Sequence, residues 1–268
     1  MKTINKFIIL VALLMSSLML KAQTTEPVFF VVEAMKATPN KGADYVKNEL
    51  EVWKKLHQER VKRGLILSWT LYQVNYPSGT NTAYDYVTVT AIRGFNGLEN
   101  PYGTLFTDAV NILSKEEYAR ASAVGTLRNL TSKSVFSADD YVAADPNAKT
   151  PPKYLVVNYM KVKDNKWEEY KNFETKLIKP MHVELMKAGG RAAWGLYGLQ
   201  MPGGDGQPYD YTTVDFFNKW SDMTASGSYR KALEKVHPGT SYEYMMNQMN
   251  GTRSLVNSEV WEWLGGTQ

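Results

Sequence analysis

The chain has 268 residues, of which 44% are hydrophobic and 22% are charged, and it contains no cysteine. This composition excludes a disordered or collagen-like chain, and the lack of thiols excludes disulfides, thiolate zinc sites, iron–sulfur clusters and cysteine nucleophiles. The formal net charge is +4 at pH 7. Because no run of Lys and Arg accompanies it, the sequence lacks the basic surface that nucleic-acid binding requires.

Residues 1–23 have the pattern of a secretory signal peptide. Lys2 and Lys6 precede an apolar segment at 7–20, and polar residues follow from Gln23. Fourteen helical residues span about 21 Å, short of the roughly 30 Å hydrocarbon core, so a retained membrane anchor is the less favoured alternative. Cleavage near residue 23 or 24 leaves 28 basic and 27 acidic residues, a net charge of +1. We therefore expect export to the periplasm or the cell exterior as a soluble protein.

A shift of 125 residues superposes the two halves of the remaining chain. Val31-Val32-x-x-Met35-Lys36 recurs as Val156-Val157-x-x-Met160-Lys161, and Trp69-x-Leu71-Tyr72 recurs as Trp194-x-Leu196-Tyr197. Further pairs are Tyr45/Tyr170, Glu49/Glu174, His57/His182, Glu59/Glu184, Gly64/Gly189, Tyr84-Asp85-Tyr86/Tyr209-Asp210-Tyr211 and Arg128/Arg253. This agreement predicts a tandem duplication, with repeat 1 at 27–142, a Pro-rich linker at 143–152 and repeat 2 at 153–264.

Each half shows the same order of predicted elements. The first strands are predicted at 28–35 and 154–160, and the first helices, which end at glycines, at 44–63 and 169–187. Second strands at 65–72 and 191–197 and third strands at 84–92 and 209–217 form hairpins, and Asp85 and Asp210 are expected to satisfy backbone amides beside those turns. Ser114 to Glu117 predicts a capping box before a second helix, and 133–137 and 259–264 predict fourth strands.

This β-α-β-β-α-β order, present twice in one chain, resembles the dimeric α/β-barrel superfamily in a version with both protomers fused. The resemblance covers about residues 27 to 264. It implies an α+β fold in which two ferredoxin-like repeats, through their antiparallel sheets, form one pseudo-twofold α/β barrel with the helices outside. Members include antibiotic-biosynthesis monooxygenases, NIPSNAP-like proteins and haem-binding chlorite dismutases, so the resemblance implies no single activity.

Two glutamates occupy the same place on the inward face of the first helix of each half. The inward positions are Tyr45, Glu49, Val52 and Leu56, repeated as Tyr170, Glu174, Leu177 and Met181. A carboxyl group among apolar neighbours has a raised pKa and is a candidate general base. The favoured alternative is an internal ion pair, with Arg128 and Arg253 as the partners.

His57 and His182 lie eight residues beyond these glutamates. In an α-helix this separation is about 12 Å along the axis and about 80° around it, so the Glu and His of one helix are not expected to form a dyad. Each His is a candidate proton carrier or, by resemblance to chlorite dismutases, a candidate haem ligand, with His237 as a third. The favoured alternative is a structural histidine satisfied by a neighbour such as Glu184 or by water.

Aromatic side chains dominate the middle strands, among them Trp69 and Trp194. They predict core packing or the wall of an apolar pocket between the sheet and the helices. The candidate ligand-binding residues are Trp69, Trp194, Tyr45, Tyr170, Arg128 and Arg253. No nucleotide-binding, hydrolase or zinc motif occurs, so no metal site is predicted.

Three hypotheses for the function follow from these patterns. The first is an exported protein that binds a small apolar molecule. The second is an enzyme, either cofactor-free and monooxygenase-like or haem-handling, that uses a pocket Glu or His. The third is a structural or partner-binding module whose barrel is filled. The mature chain is expected to be a monomer with pseudo-twofold symmetry or a homodimer, with no nucleic-acid partner and no membrane span.

Overall fold

Eight antiparallel strands form one sheet that closes into a barrel. The computed structural model describes residues 26–76, 83–148, 150–225 and 229–267, and the predicted signal peptide lies outside them. The strands are β1 (Val28–Ala37), β2 (Ser68–Tyr76), β3 (Tyr86–Arg93), β4 (Arg128–Ala143), β5 (Tyr154–Val162), β6 (Ala193–Met201), β7 (Tyr211–Phe217) and β8 (Arg253–Gly266). Their order around the barrel is β1-β3-β2-β8-β5-β7-β6-β4, and β4 pairs back to β1.

The described residues also form seven helices, which lie outside the barrel. Helix α1 consists of three consecutive segments, Gly42–Asn48, the π-helical turn Glu49–Trp53 and Lys54–Lys62; α4 repeats this with Trp167–Asn172, the π-helical turn Phe173–Ile178 and Lys179–Lys187. The others are α2 (Leu105–Ile112), α3 (Lys115–Ser122), α5 (Asp222–Ala225), α6 (Tyr229–Val236) and α7 (Tyr242–Thr252). None of these helices has the length and apolar character needed to cross a bilayer.

The predicted α+β class and the closed pseudo-twofold barrel are confirmed. Corresponding strands of the two halves lie four places apart in the ring of eight, so the pseudo-twofold axis runs along the barrel axis. The last strand of each half pairs with the second strand of the other, as β4 with β6 and β8 with β2. These two seams close the barrel, and the domain boundaries drawn from the sequence stay a prediction.

The halves also share their pairing register. Val31 lies opposite Thr90 between β1 and β3, and Val156 lies opposite Asp215, 125 residues further on, between β5 and β7. A register shift at Ala34/Met35 in β1 returns at Tyr159/Met160 in β5. Tandem duplication stays a prediction that this agreement supports.

The fourth strands are longer than predicted. β4 starts at Arg128 instead of 133, and β8 starts at Arg253 instead of 259. Most side chains in these early segments are exposed and show no apolar alternation. Backbone pairing with the ends of β1 and β5 holds them in the sheet, so side-chain patterning gave no signal.

Strand alternation divides the apolar residues into two layers. In β1, Val28, Phe30 and Val32 point into the barrel. Phe29 and Val31 point outward and pack in the cluster that contains Tyr45 and Trp69. The outer layer is the core of each half, whereas the inner layer surrounds the barrel axis.

Candidate functional site

The inward side chains of the barrel line a cavity of about 1190 Å³. Several strands present small side chains to the interior, which are Ala34, Ser68, Thr70, Ser132, Ser134 and Ala138. An eight-stranded barrel is just wide enough either to be filled by side chains or to hold one small ligand, and small inward residues favour the second case. The filled barrel of the third hypothesis is therefore not what the structure shows. The cavity also lies inside the barrel, whereas we expected a pocket between the sheet and the helices.

The cavity wall is mainly apolar and aromatic. Its aromatic residues are Phe30, Tyr72, Tyr84, Phe136, Tyr141, Tyr159, Tyr197, Tyr209, Phe216 and Trp261. The segment that joins β4 to β5 crosses one end of the barrel, where Asp145, Pro146, Pro151 and Pro152 contribute to the wall. Tyr84 and Tyr209 precede β3 and β7 at the opposite end.

A buried carboxylate, Glu259 of β8, belongs to this wall and is 4% exposed. The Tyr84 hydroxyl donates to both of its oxygens at 2.7 Å, and Trp261 Nε1 donates to Oε2 at 2.8 Å. The Tyr159 hydroxyl and Asn257 Nδ2 lie 3.4 Å from Oε2 and Oε1. Neutral donors therefore provide the hydrogen bonds that the structure gives this carboxylate. Glu259 could not be predicted from the repeated residues. Its counterpart in the first half is Ser134, so the two halves share no carboxyl group at this position.

Glu49 and Glu174 lie away from the cavity, in the π-helical turns of α1 and α4, and both are buried. Burial raises the pKa of each carboxyl group to about 7, and the charge of Arg128 or Arg253 offsets part of this rise. Contact with the Tyr45 or Tyr170 hydroxyl also favours the carboxylate.

Each half thus brings one glutamate, one tyrosine and one arginine together. Neither glutamate forms an ion pair within 4.0 Å among the described residues, so the predicted close pairs with Arg128 and Arg253 are replaced by longer-range attraction. The hydroxyls of Tyr45 and Tyr170 and the Nε atoms of both arginines are buried without a regular hydrogen-bond partner. These atoms retain hydrogen-bonding capacity in both halves.

The π-helical turns place the Glu and the His of each helix on the same buried side. An i→i+5 hydrogen bond widens the turn and rotates the following residues backwards relative to an α-helix. Glu49 and His57 are accordingly both buried, as are Glu174 and His182. An uninterrupted α-helix would separate the two side chains by about 80°, and the wider turn reduces this angle.

Each of these histidines is bound by an arginine instead of a glutamate. Arg60 Nη1 lies 2.8 Å from His57 Nδ1, and Arg191 Nη1 contacts His182 Nδ1. Burial lowers the pKa of His57, and the Arg60 charge lowers it further. Glu184, the neighbour expected to satisfy His182, pairs with Lys187 and Lys235.

The two arginines come from different places in the sequence. Arg60 belongs to α1, and its counterpart in α4 is Leu185; Arg191 precedes β6, and its counterpart is Ile66. Arg191 also lies 3.2 Å from Asp215, whose counterpart is Thr90. Both halves therefore contain an Arg–His contact, but the arginine comes from a different backbone position in each. The second half also has a buried carboxylate, Asp215, beside this contact.

The six predicted ligand-binding residues lie outside the cavity wall. Trp69 and Trp194 stack on His57 and His182 with ring centroids 4.4 and 5.1 Å apart. Tyr45 and Tyr170 are completely buried between helix and sheet, and Arg128 and Arg253 lie beside the glutamates. The structure brings these residues together as two packed clusters, and their ligand-binding role stays a prediction.

Asp85 and Asp210 satisfy backbone amides as predicted. Asp85 accepts from the Ala37 amide at 3.0 Å, and Asp210 accepts from the Val162 amide at 2.9 Å. Each also pairs with a lysine, Lys36 or Lys161. These contacts fix the ends of β1 and β5, which explains the acids without a catalytic role.

No protein-family model and no curated protein matches the sequence. Solved structures share the fold. A proposed monooxygenase from Fusobacterium nucleatum has a TM-score of 0.55 at 9% identity, covering 92% of this chain and 96% of that one. A proposed monooxygenase from Lactobacillus acidophilus has a TM-score of 0.53 at 9% identity, covering 91% and 96%.

A proposed chlorite dismutase has a TM-score of 0.51 at 10% identity, covering 90% of this chain and 96% of that chain. The chain has the dimeric α/β-barrel fold. At these identities the likeness extends to the fold alone, so the site must be interpreted from its own residues.

The histidines of this dimeric α/β barrel do not fit the haem that the resemblance implies. A haem ligand needs a ring nitrogen facing an open space. His57 and His182 are buried against indole rings with Nδ1 bound by an arginine, and His237 Nε2 contacts the Leu177 carbonyl at 3.1 Å. No histidine lines the cavity, and the described residues contain no group of His, Asp and Glu arranged to hold a metal ion.

Proposed function

We propose that this protein is an exported small-molecule-binding protein whose ligand occupies the barrel cavity. The observation that supports this function is a cavity of about 1190 Å³ with a mainly apolar and aromatic wall. Ligand sites are typically concave, largely apolar and about 300–1,000 Å³ in volume, with a few polar groups that fix orientation. Export rests on the signal-peptide pattern of residues 1–23.

Binding of the neutral fluorescent probe N-phenyl-1-naphthylamine tests this function. We expect saturable binding of one probe per chain, quenching of Trp261 and an increase in melting temperature. Ala138→Phe places a ring inside the cavity and should abolish binding. Ala119→Phe, at an exposed position of α3, is the matched control and should bind as the natural protein does. Absence of binding, or equal binding by both variants, contradicts the proposal.

A second candidate function is proton abstraction from a weak carbon acid by Glu49 and Glu174. The specific observation in its favour is the burial of both carboxyl groups, which raises their pKa to about 7 and suits a general base near neutral pH. Tyr45 and Tyr170 close these clusters, so a substrate reaches them only when the helix moves. Deuterium exchange at the acidic carbon of anthrone, followed by NMR, tests this function. The rate of exchange should fall in the double variant Glu49→Gln/Glu174→Gln and stay unchanged in Glu51→Gln. Equal rates in the natural protein and both variants would exclude this function.

A further inference from the structure

We infer that the cavity ligand carries a cationic ammonium group, which Glu259 binds. This inference rests on the proposed ligand-binding function and specifies the chemistry of the ligand. A buried carboxylate ordinarily has a cationic partner, because removing a charge from water is unfavourable. Within the described ranges, no Lys or Arg nitrogen lies within 4.0 Å of Glu259. The partner that this carboxylate lacks within the chain is supplied by the ligand.

The charged residues of the cavity wall also favour a positively charged ligand. The charged wall residues among the described residues are Asp145, Asp222, Glu259 and Arg191. Arg191 is already committed to Asp215 at 3.2 Å and to His182. The wall therefore has an excess of negative charge, which attracts a cation and repels a carboxylate or phosphate.

Aromatic rings surround the carboxylate. Tyr159 and Tyr209 have ring centroids 4.7 Å apart, and Tyr84 and Tyr159 touch through their hydroxyls at 3.5 Å. Trp261, which donates to Glu259, lies 5.9 Å from the Tyr72 ring. Aromatic faces attract ammonium groups, so this end of the cavity provides both a carboxylate and rings for one cation.

The difference between the two halves around Glu259 determines how many ammonium groups one chain binds. Ser134 is the counterpart of Glu259, and the counterparts of Trp261 and Tyr159 are Phe136 and Ala34. The polar cluster is therefore present once, although the pseudo-twofold axis passes through the cavity. One ammonium group per chain follows, with the apolar remainder of the ligand directed along the barrel.

A matched series of probes tests this inference: 4-phenylbutylamine, 4-phenylbutan-1-ol and 4-phenylbutyrate, measured by calorimetry at pH 7. The three share an apolar part and differ in the charge of the end group. We expect the amine to bind about tenfold to a hundredfold more tightly than the alcohol, as for a buried hydrogen bond to a charged group, and the carboxylate to bind most weakly. This comparison needs no substitution, so misfolding of a variant does not affect it.

Glu259→Gln should lower the affinity for the amine to that for the alcohol and leave the alcohol unchanged. Alcohol binding by this variant shows that it is folded. Glu262→Gln is the matched control, because Glu262 lies on the same strand, outside the cavity wall, and pairs with Lys153. Equal affinities for amine and alcohol in the natural protein, or an unchanged amine affinity in Glu259→Gln, would overturn the inference while ligand binding itself stands. If no probe binds and the neutral naphthylamine also fails, the proposed function fails with it.

Discussion

Glu49 and Glu174 illustrate how single residues couple this fold to pH. Their pKa of about 7 lies above the ordinary value of 4.5, so the folded chain binds more protons than the unfolded chain between these pH values. Stability from these groups is therefore fully present below pH 4.5 and is lost as the pH rises through 7. The difference is worth on the order of 3 kcal/mol for each glutamate.

The double variant Glu49→Gln/Glu174→Gln should remove this loss. Relative to the natural protein, its free energy of unfolding should improve between pH 4.5 and pH 7 and level off above pH 7, as measured by urea denaturation. His57 contributes the opposite dependence because burial lowers its pKa, but it is present in both proteins and cancels in the difference. Glu51→Gln, an exposed residue of the same π-helical turn, serves as the control. A pH-independent difference would contradict the prediction.

Arg191 and Asp215 form a buried pair that the first half lacks. Arg191→Ile introduces the counterpart residue of repeat 1 and leaves Asp215 without its cation, which should cost about 3–5 kcal/mol in the free energy of unfolding. Adding Asp215→Thr, again the counterpart residue, should recover part of that loss. Urea denaturation of the two single variants and the double variant measures the coupling. Strictly additive effects would show that the pair is not energetically linked.

Residues shared by both halves could be predicted from the sequence, whereas residues that differ could not. The shift of 125 residues identified Glu49, Glu174, His57 and His182 as repeated positions, and the inward helical face predicted burial of the two glutamates. It could not identify Glu259. It also could not show that His57 is bound by Arg60 whereas His182 is bound by Arg191, which lies at a different position in its half. The roles of these residues depend on which side chains come into contact across neighbouring elements, and a single sequence does not show those contacts.

At the scale of elements, the first helix and the first three strands of each half follow from their apolar periodicity, and the capping box at Ser114 to Glu117 marks the start of α3. The π-helical turns were missed because hydrophobic spacing over twenty residues averages over one wider turn. The early parts of β4 and β8 were missed because backbone pairing and polar contacts hold them in the sheet, without a buried apolar face. Apolar periodicity in a sequence indicates which residues are buried. The π-helical turns and the early parts of β4 and β8 do not depend on burial, so the periodicity does not indicate them.

The seam between β2 and β8 depends on the close approach of Gly266. A Cβ atom at this position would lie 2.6 Å from the Trp69 carbonyl oxygen and 2.9 Å from Thr70 Cγ2. Gly266→Ala should therefore destabilise the protein by about 1–3 kcal/mol, as overpacking typically does. Gly203→Ala is the control, since nothing lies within 4 Å of its Cβ position. Equal unfolding midpoints in thermal denaturation would contradict this account of the seam.

At the scale of the whole molecule, the strand ladder joins the halves all the way around the barrel, and side-chain pairs such as Lys179–Asp140 add to it. A protease site inserted between Asn147 and Ala148 allows the segment between β4 and β5 to be cut. The cleaved protein should elute as one species of unchanged size and unfold in one transition, because two seams still hold it together. Separation of the halves in gel filtration would show that the covalent connection is needed.

The architecture of the barrel was predictable because the repeated sequence pattern and the element order indicate it. The cavity was not, because its volume depends on the combined size of inward side chains from eight strands. Ala34 lies within a predicted strand and Ser132 and Ala138 lie just outside one, and only their convergence on the barrel axis creates the space.

The position of the symmetry axis has a consequence for any later change in the sequence. Because the axis passes through the cavity, both halves contribute to one shared wall, and a substitution in either half changes the surroundings of the same space. One half can therefore supply charge while the other supplies room.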